Sequence, residues 1–189
     1  MQDRLVLDAY RLVERMRRAA RLDRALYEAV ARDEAALPEA VLVVVIAAVA
    51  SALGNALNVF EPGPRHLSLL SEILSMLVNW AIWSWLTYFV GTRFFHAAAT
   101  PDRLLRTLGF AMAPGVLDVL GFLPCVGGPI RFAVVLWIVA AGVVAVRAGL
   151  DCDNERALTV VAVSGGVMLA LFFLQLVLLG PRGGIIRLL

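Results

Sequence analysis

Residues 40–60 read AVLVVVIAAVASALGNALNVF, a run of 21 positions without a charged side chain. A helix needs about 20 such residues to cross the hydrocarbon of a bilayer. Three further uncharged runs follow at 73–92, 132–146 and 157–181. A fifth stretch, 107–130, holds a single charge, Asp118. The run beginning at Phe132 is short, but Arg131 and Arg147 at its ends can snorkel to the interfaces. A hydrophobic fraction of 61% and a mean hydropathy of +0.83 lie far above those of a soluble domain. The pattern predicts an all-α fold, a polytopic membrane bundle of five transmembrane helices. The spans are expected at about 39–59, 67–92, 104–123, 131–149 and 156–180, within a bundle over 38–182. A short tail, 183–189, follows.

Residues 1–37 form a charged head that reads as an amphipathic cytoplasmic helix. Leu5, Ala9, Leu12, Met16, Ala19, Leu22, Leu26 and Ala29 recur at spacings of three and four, one stripe on a helix. Arg15, Arg17, Arg18, Arg21 and Arg24 crowd the remaining faces and are the candidate contacts to anionic lipid. Seven acids from Asp3 to Glu34 nearly cancel the eight arginines there, so packing under the bundle or against a partner fits the stripe equally well. Pro38 suits the first turn of the first span, where its missing N–H costs nothing.

Every one of the 17 basic residues is arginine. Near the spans, nine lie on one side (Arg18, Arg21, Arg24, Arg32, Arg93, Arg103, Arg106, Arg147, Arg156) and four on the other (Arg65, Arg131, Arg182, Arg187). The positive-inside rule therefore places the N-terminus in the cytoplasm and, with five spans, the C-terminus outside. No cleavable signal peptide is visible, since a long charged segment precedes the first apolar run. Cys125 and Cys152 fall in loops on opposite faces and cannot form an intrachain disulfide.

Depth assigns a polar cluster to the outer half of the bundle: Asn55, Asn58, Glu72, Ser75, Asn79, Asp118, Arg131 and Gln175. A charge at the bilayer centre costs about 2.5–3.5 kcal/mol on insertion scales. Asp118 is thus expected to face the bundle, with Arg131 within reach and Glu72 competing for that arginine. The cluster reads either as a crevice holding a polar ligand or passing a proton, or as hydrogen bonding between helices. Gly109, Pro114 and Gly115 mark a candidate hinge in the third span, because Pro114 removes an N–H and crowds the carbonyl of Phe110. Trp80, Trp83, Trp85 and Tyr88 crowd the cytoplasmic half of the second span, with Trp80 expected to pack.

Catalytic and cofactor signatures are missing. His66 and His96 flank the second span about 45 Å apart along a helix and cannot share a haem. There is no phosphate loop, nucleophile elbow or zinc-helix motif. A net charge of +2 gives no footprint for nucleic acid.

Three stretches carry a family resemblance: RLDRALYEAVARDEAALPEA (21–40), YFVGTRFFHAAATPDRLLRTLGFAMAPGVLDVLGFLP (88–124) and WIVAAGVVAVRAGLDCDNERALTVVAVSG (137–165). Ala113-Pro114, after Arg106 and Gly109, sits where the family has an alanine- and leucine-rich segment ending in proline. Arg156-Ala157-Leu158 matches a common start of its last helix. From Arg21 to about residue 180 the chain resembles the Yip1 domain family, its short bacterial members in particular. The resemblance implies five spans, a cytoplasmic N-terminus and no enzymatic activity; no cofactor is expected from the motifs. Eukaryotic relatives act in vesicle traffic and bind small Rab GTPases, but Leu7-Asp8-Ala9-Tyr10 is no match for their cytoplasmic motif, and that property is not carried over.

The expected role is a non-enzymatic adaptor or scaffold of the bacterial cytoplasmic membrane, with membrane lipid and a protein partner or second copy as partners. Two alternatives are a small transporter or proton-coupled permease built on the cluster around Asp118, and an accessory subunit of a larger membrane complex.

Overall fold

The computed structural model describes residues 2–57 and 69–179, and the side chains of 2–6, 172 and 175–179 fall outside that description. Asn58 and His66, and the side chain of Gln175, therefore lie outside the described residues. All regular structure among the described residues is helical. Two helices make the head: α1 (Gln2–Ala20) and α2 (Arg24–Arg32). Asp23 separates them, its carboxylate accepting from the Ala25 and Leu26 amides at 3.0 and 3.4 Å, which starts α2. A 3₁₀ turn (Glu34–Ala36) leads into α3 (Leu37–Leu57), followed by α4 (Leu69–Phe95), α5 (Pro101–Ala111), a 3₁₀ helix (Ala113–Phe122), α6 (Gly127–Leu150) and α7 (Asn154–Leu179).

Among the described residues, five segments are long and apolar enough to cross a membrane: Glu34–Leu57, Leu69–Phe95, Pro101–Phe122, Gly127–Leu150 and Asn154–Leu171. Their outward faces are greasy. Leu74, Val78 and Trp85 of α4, Phe132 and Val135 of α6, and Leu158 and Leu169 of α7 are all exposed. In water such a belt would drive aggregation. In lipid it meets a solvent as apolar as itself, so interior packing rather than the hydrophobic effect must hold the helices together.

That packing centres on the third span, the most enclosed of the five. Small side chains on α3 let it approach. Ala40, Val43, Val44, Ala47 and Ala48 are fully buried there. A Cβ added to Gly109 would lie 2.7 Å from the Ala40 Cβ, too close for any side chain without movement. The kink expected at Pro114 is a larger change. The α-helix stops at Ala111 and the chain runs on as ten residues of 3₁₀ helix, opening with the Gly115 amide on the Met112 carbonyl at 2.9 Å. Such long 3₁₀ runs are uncommon. Here Pro114 cannot donate to an α ladder, and α3 lies against the segment over its length. Pro114 and Gly115 are both buried.

The apolar stripe of the head packs on the bundle. Leu12, Ala19 and Leu26 are buried, Met16 and Leu22 partly so, and Ala9 and Ala29 are exposed. The head lies against the flank of the third and fourth spans: α1 touches α5 and the 3₁₀ helix, and α2 touches α5 and α6. The Tyr27 hydroxyl, fully buried, donates to the Ala19 carbonyl at 3.2 Å. Burial holds this phenol protonated, well above its ordinary value.

Candidate functional site

At the end of the bundle where α3 stops and α4 and α6 start, three polar residues from three helices join. Asn55 sits near the end of α3, Glu72 in the first turn of α4 and Arg131 in the first turns of α6. The Asn55 amide donates to the Glu72 carboxylate at 2.8 Å, while its carbonyl oxygen accepts from the Arg131 guanidinium. Asparagine is suited to this position because it offers a donor and an acceptor at once. The expected competition for Arg131 is thus resolved by a bridge. Asp118, on the 3₁₀ helix, lies within electrostatic reach of Arg131 without a hydrogen bond to it, and its Oδ1 has no hydrogen-bond partner.

Ser75 and Asn79 follow Glu72 up α4 and line a cavity of about 560 Å³ between α3, α4, α6 and α7. Trp80, Trp83 and Met168 form its apolar wall. The indole N–H groups of Trp80 and Trp83 are buried without an acceptor. Trp85, two residues past Trp83 and so on the opposite side of the helix, points outward and stacks on Phe89 with ring centroids 5.7 Å apart.

The five candidate lipid-contacting arginines divide. Arg15 reaches Glu39 at 2.8 Å and Asp33 at 3.2 Å, fastening α1 to the start of the first span. Burial opposes the Arg15 charge, but the two carboxylates outweigh it and raise its affinity for the proton. Arg17 pairs with Glu14 and Arg18 with Asp23, each at 2.7 Å. Those hydrogen bonds hold the Glu14 and Asp23 carboxyls below their ordinary values. Arg21 is exposed and forms no ion pair among the described residues, and Arg24 turns toward a second cavity.

This second cavity, about 600 Å³, lies between α2, α5 and α6 and was not anticipated from the sequence. Arg24 and Arg32 from α2, Arg103 and Arg106 from α5, and Arg147 from α6 line it, with Glu28, Glu34 and Asp151. Arg106 donates to the Ala31 carbonyl at 3.0 Å and Arg103 to the Ala148 carbonyl at 3.2 Å. In both, Nε is buried with no partner. In the linear sequence these arginines serve only as topology markers. The one local hint is the spacing of Arg103 and Arg106, three apart on one helix face.

Among the described residues no three His, Cys, Asp or Glu side chains converge as a metal site would. Comparison with known proteins gives one family match, to the Yip1 domain, over residues 23–175. No curated protein and no solved structure matches the chain. The match covers all five membrane-capable helices and α2, so the chain belongs to the Yip1 domain family and is an integral, multi-pass membrane protein.

Proposed function

We propose that this protein is a non-enzymatic organiser of membrane components, an adaptor or scaffold that meets lipid and a protein partner or second copy. In this reading it sits in the cytoplasmic membrane with the head on the cytoplasmic side, its α1–α2 turn reaching along the flank of the bundle, and the C-terminus outside. The observation that carries it is the two-sidedness of α1. One face is fixed to the bundle through Leu12 and Ala19, while Leu7, Tyr10 and Val13 stand exposed on the other beside Arg11 and Arg17. An apolar strip edged with arginine is the chemistry of a helix that enters the headgroup region. Fixed to five spans, it holds that contact at a constant place beside the bundle. Native mass spectrometry in mild detergent tests the reading by looking for retained anionic lipid, a partner or a dimer. A bare monomer that retains neither lipid nor protein overturns it.

A second reading, a small transporter or proton-coupled permease, is favoured by the Asn55–Glu72–Arg131 chain opening beside the cavity lined by Ser75 and Asn79. Asp118, its Oδ1 without a partner and its carboxylate within electrostatic reach of Arg131, is the group that would carry a proton. Proteoliposome flux that falls in Asp118→Asn supports this reading. Wild-type vesicles that carry nothing across a broad substrate panel remove it.

A further inference from the structure

The arginines of this protein are treated in two ways. On the head, Arg15, Arg17 and Arg18 each hold a carboxylate within 3.2 Å. Around the cavity between α2, α5 and α6, none of Arg24, Arg32, Arg103, Arg106 and Arg147 forms an ion pair with any described residue. Acids are not lacking there, since Glu28, Glu34 and Asp151 share the lining. None of the three forms an ion pair with these arginines.

Arg106 shows the consequence most sharply. It is 6% exposed, one arm of its guanidinium is spent on the Ala31 carbonyl, and its Nε faces no acceptor. Arg103 repeats the pattern on the next face of α5, with one arm on the Ala148 carbonyl and Nε empty. A guanidinium does not shed its proton, so burial cannot be relieved by neutralisation. It is relieved by an anion. Five cations against three carboxylates leave the lining at +2 (5 − 3), the charge complement of one phosphate dianion.

We propose that this cavity binds a phosphate-bearing anion, gripped by Arg103, Arg106 and Arg147 and closed over by Arg24 and Arg32. Planar guanidinium forks match the tetrahedral oxygens of phosphate two at a time, and several can share one group. At about 600 Å³ the space exceeds inorganic phosphate and lies within the usual range for small-molecule sites, so the phosphate carries a polar substituent such as glycerol. Glu28, Glu34 and Asp151 supply acceptors for its hydroxyl groups. Two sources share this chemistry: the headgroup of an anionic phospholipid and a soluble phosphomonoester. Because the arginines come from α2, α5 and α6, the bound anion also clamps the head to the third and fourth spans. The site does not depend on the adaptor reading.

Full-length protein, delipidated in neutral detergent, is tested in two arms. In the first, native mass spectrometry compares phosphatidylglycerol with phosphatidylcholine. In the second, glycerol 1-phosphate is titrated at constant ionic strength and followed by calorimetry. The proposal expects binding in one arm at least, with hydrogen exchange in α2 slowed by the ligand. Lipid-arm binding alone assigns a headgroup, and second-arm binding assigns a soluble ligand. Arg103→Gln with Arg147→Gln weakens binding about tenfold or more, as expected for losing charge-assisted bonds. Arg24→Gln with Arg32→Gln, at exposed positions, weakens it in a background where folding is not at stake. Arg93→Gln with Arg156→Gln, exposed positions outside the cavity lining, leaves it unchanged. No binding in either arm overturns the proposal, as does equal weakening by the cavity pairs and the Arg93/Arg156 pair, which would mean general surface charge.

Discussion

The indole Nε1 of Trp137 donates a 2.7 Å hydrogen bond to the carbonyl of Ala20, tying the end of α1 to the middle of the fourth span. The last carbonyls of a helix have no partner within it, so an outside donor there both caps the helix and fixes its position. Trp137 lies about 20 Å along α6 from its Leu150 end. The head therefore reaches well along the side of the bundle, and the turn carrying Arg21 and Asp23 is held by a span rather than by lipid. Trp137→Phe keeps the ring and removes the donor. It is expected to cost about 0.5–1.5 kcal/mol locally and to speed hydrogen exchange at the end of α1 and in α2, with the spans unaffected. Unchanged exchange in the head would mean that its apolar stripe alone holds it.

Close approach of α3 to the third span makes a second expectation. Gly109→Ala places a methyl group 2.7 Å from the Ala40 Cβ. Neither helix has room to yield, because Ala40, Val43, Val44 and Phe110 are all fully buried. Overpacking of this kind costs about 1–3 kcal/mol, and Gly109→Val should cost more than Gly109→Ala. Thermal unfolding in detergent measures both. Gly128, with open space around its Cα, is the control whose alanine variant keeps the wild-type midpoint.

The Asn55 bridge between α3, α4 and α6 predicts a smaller effect. Asn55→Leu removes the donor to Glu72 and the acceptor for Arg131 together. Hydrogen bonds between membrane helices average about 0.6 kcal/mol, so a loss near 1 kcal/mol in unfolding stability is expected. Glu72→Gln keeps an acceptor for Asn55 and should be milder. A loss several times larger for Asn55→Leu would point to a role in ligand or ion passage beyond helix pairing.

Acid should loosen the α1–α2 turn. The Arg18 hydrogen bond, helped by the Leu26 and Ala25 amides, lowers the Asp23 carboxyl below its ordinary value of 3.8. A lowered folded value means that the contribution is fully present above the unfolded value and is lost as pH falls through the folded one. Protection of the Ala25 and Leu26 amides, taken relative to their intrinsic exchange rates, should therefore stay flat down to about pH 4 and fall below it. Asp23→Asn should flatten that fall. The pair is largely exposed, so the change is confined to the turn and the bundle stays folded.

What could be read in advance follows from where the information is local. Uninterrupted apolar length marks a span whatever it touches, so the five segments stand out in the chain. Asn55, Glu72 and Arg131 were visible for the same reason, being polar exceptions in or beside apolar runs that must find one another. The stripe of the head was legible, but its partner was not: nothing about Trp137 in the sequence distinguishes a lipid-facing tryptophan from one that caps another helix. Pro114 announced a break, while the length of the 3₁₀ segment depends on α3 lying against it. The arginine cavity was hidden most completely. Arg103, Arg106 and Arg147 sit where arginine is ordinary, at the ends of spans, and only the docking of α2 turns them into a pocket lining.

The two cysteines test the proposed orientation and the chemistry of the loop after α6 together. Cys125, exposed in the turn between the 3₁₀ helix and α6, belongs to the outer side in the proposed topology, and Cys152, in the loop after α6, to the cytoplasm. Both are free thiols. A membrane-impermeant maleimide applied to intact cells should label Cys125 in a Cys152→Ser background and leave Cys152 untouched in a Cys125→Ser background. The reverse pattern would turn the whole chain over. Permeabilised cells add a rate. Partial burial, together with the neighbouring Asp153 carboxylate, pushes the Cys152 thiol above its ordinary value, and Arg156 and Arg147 only partly offset this. A raised value means less thiolate at neutral pH, and the thiolate is the nucleophile. Labelling of Cys152 should therefore be slow at pH 7 and still be accelerating at pH 9. In Asp153→Asn the removal of the like charge should speed it at every pH below that range. A Cys152 that reacts at its plateau rate by pH 8 would show that the loop is open to water and that its carboxylates do not act on the thiol.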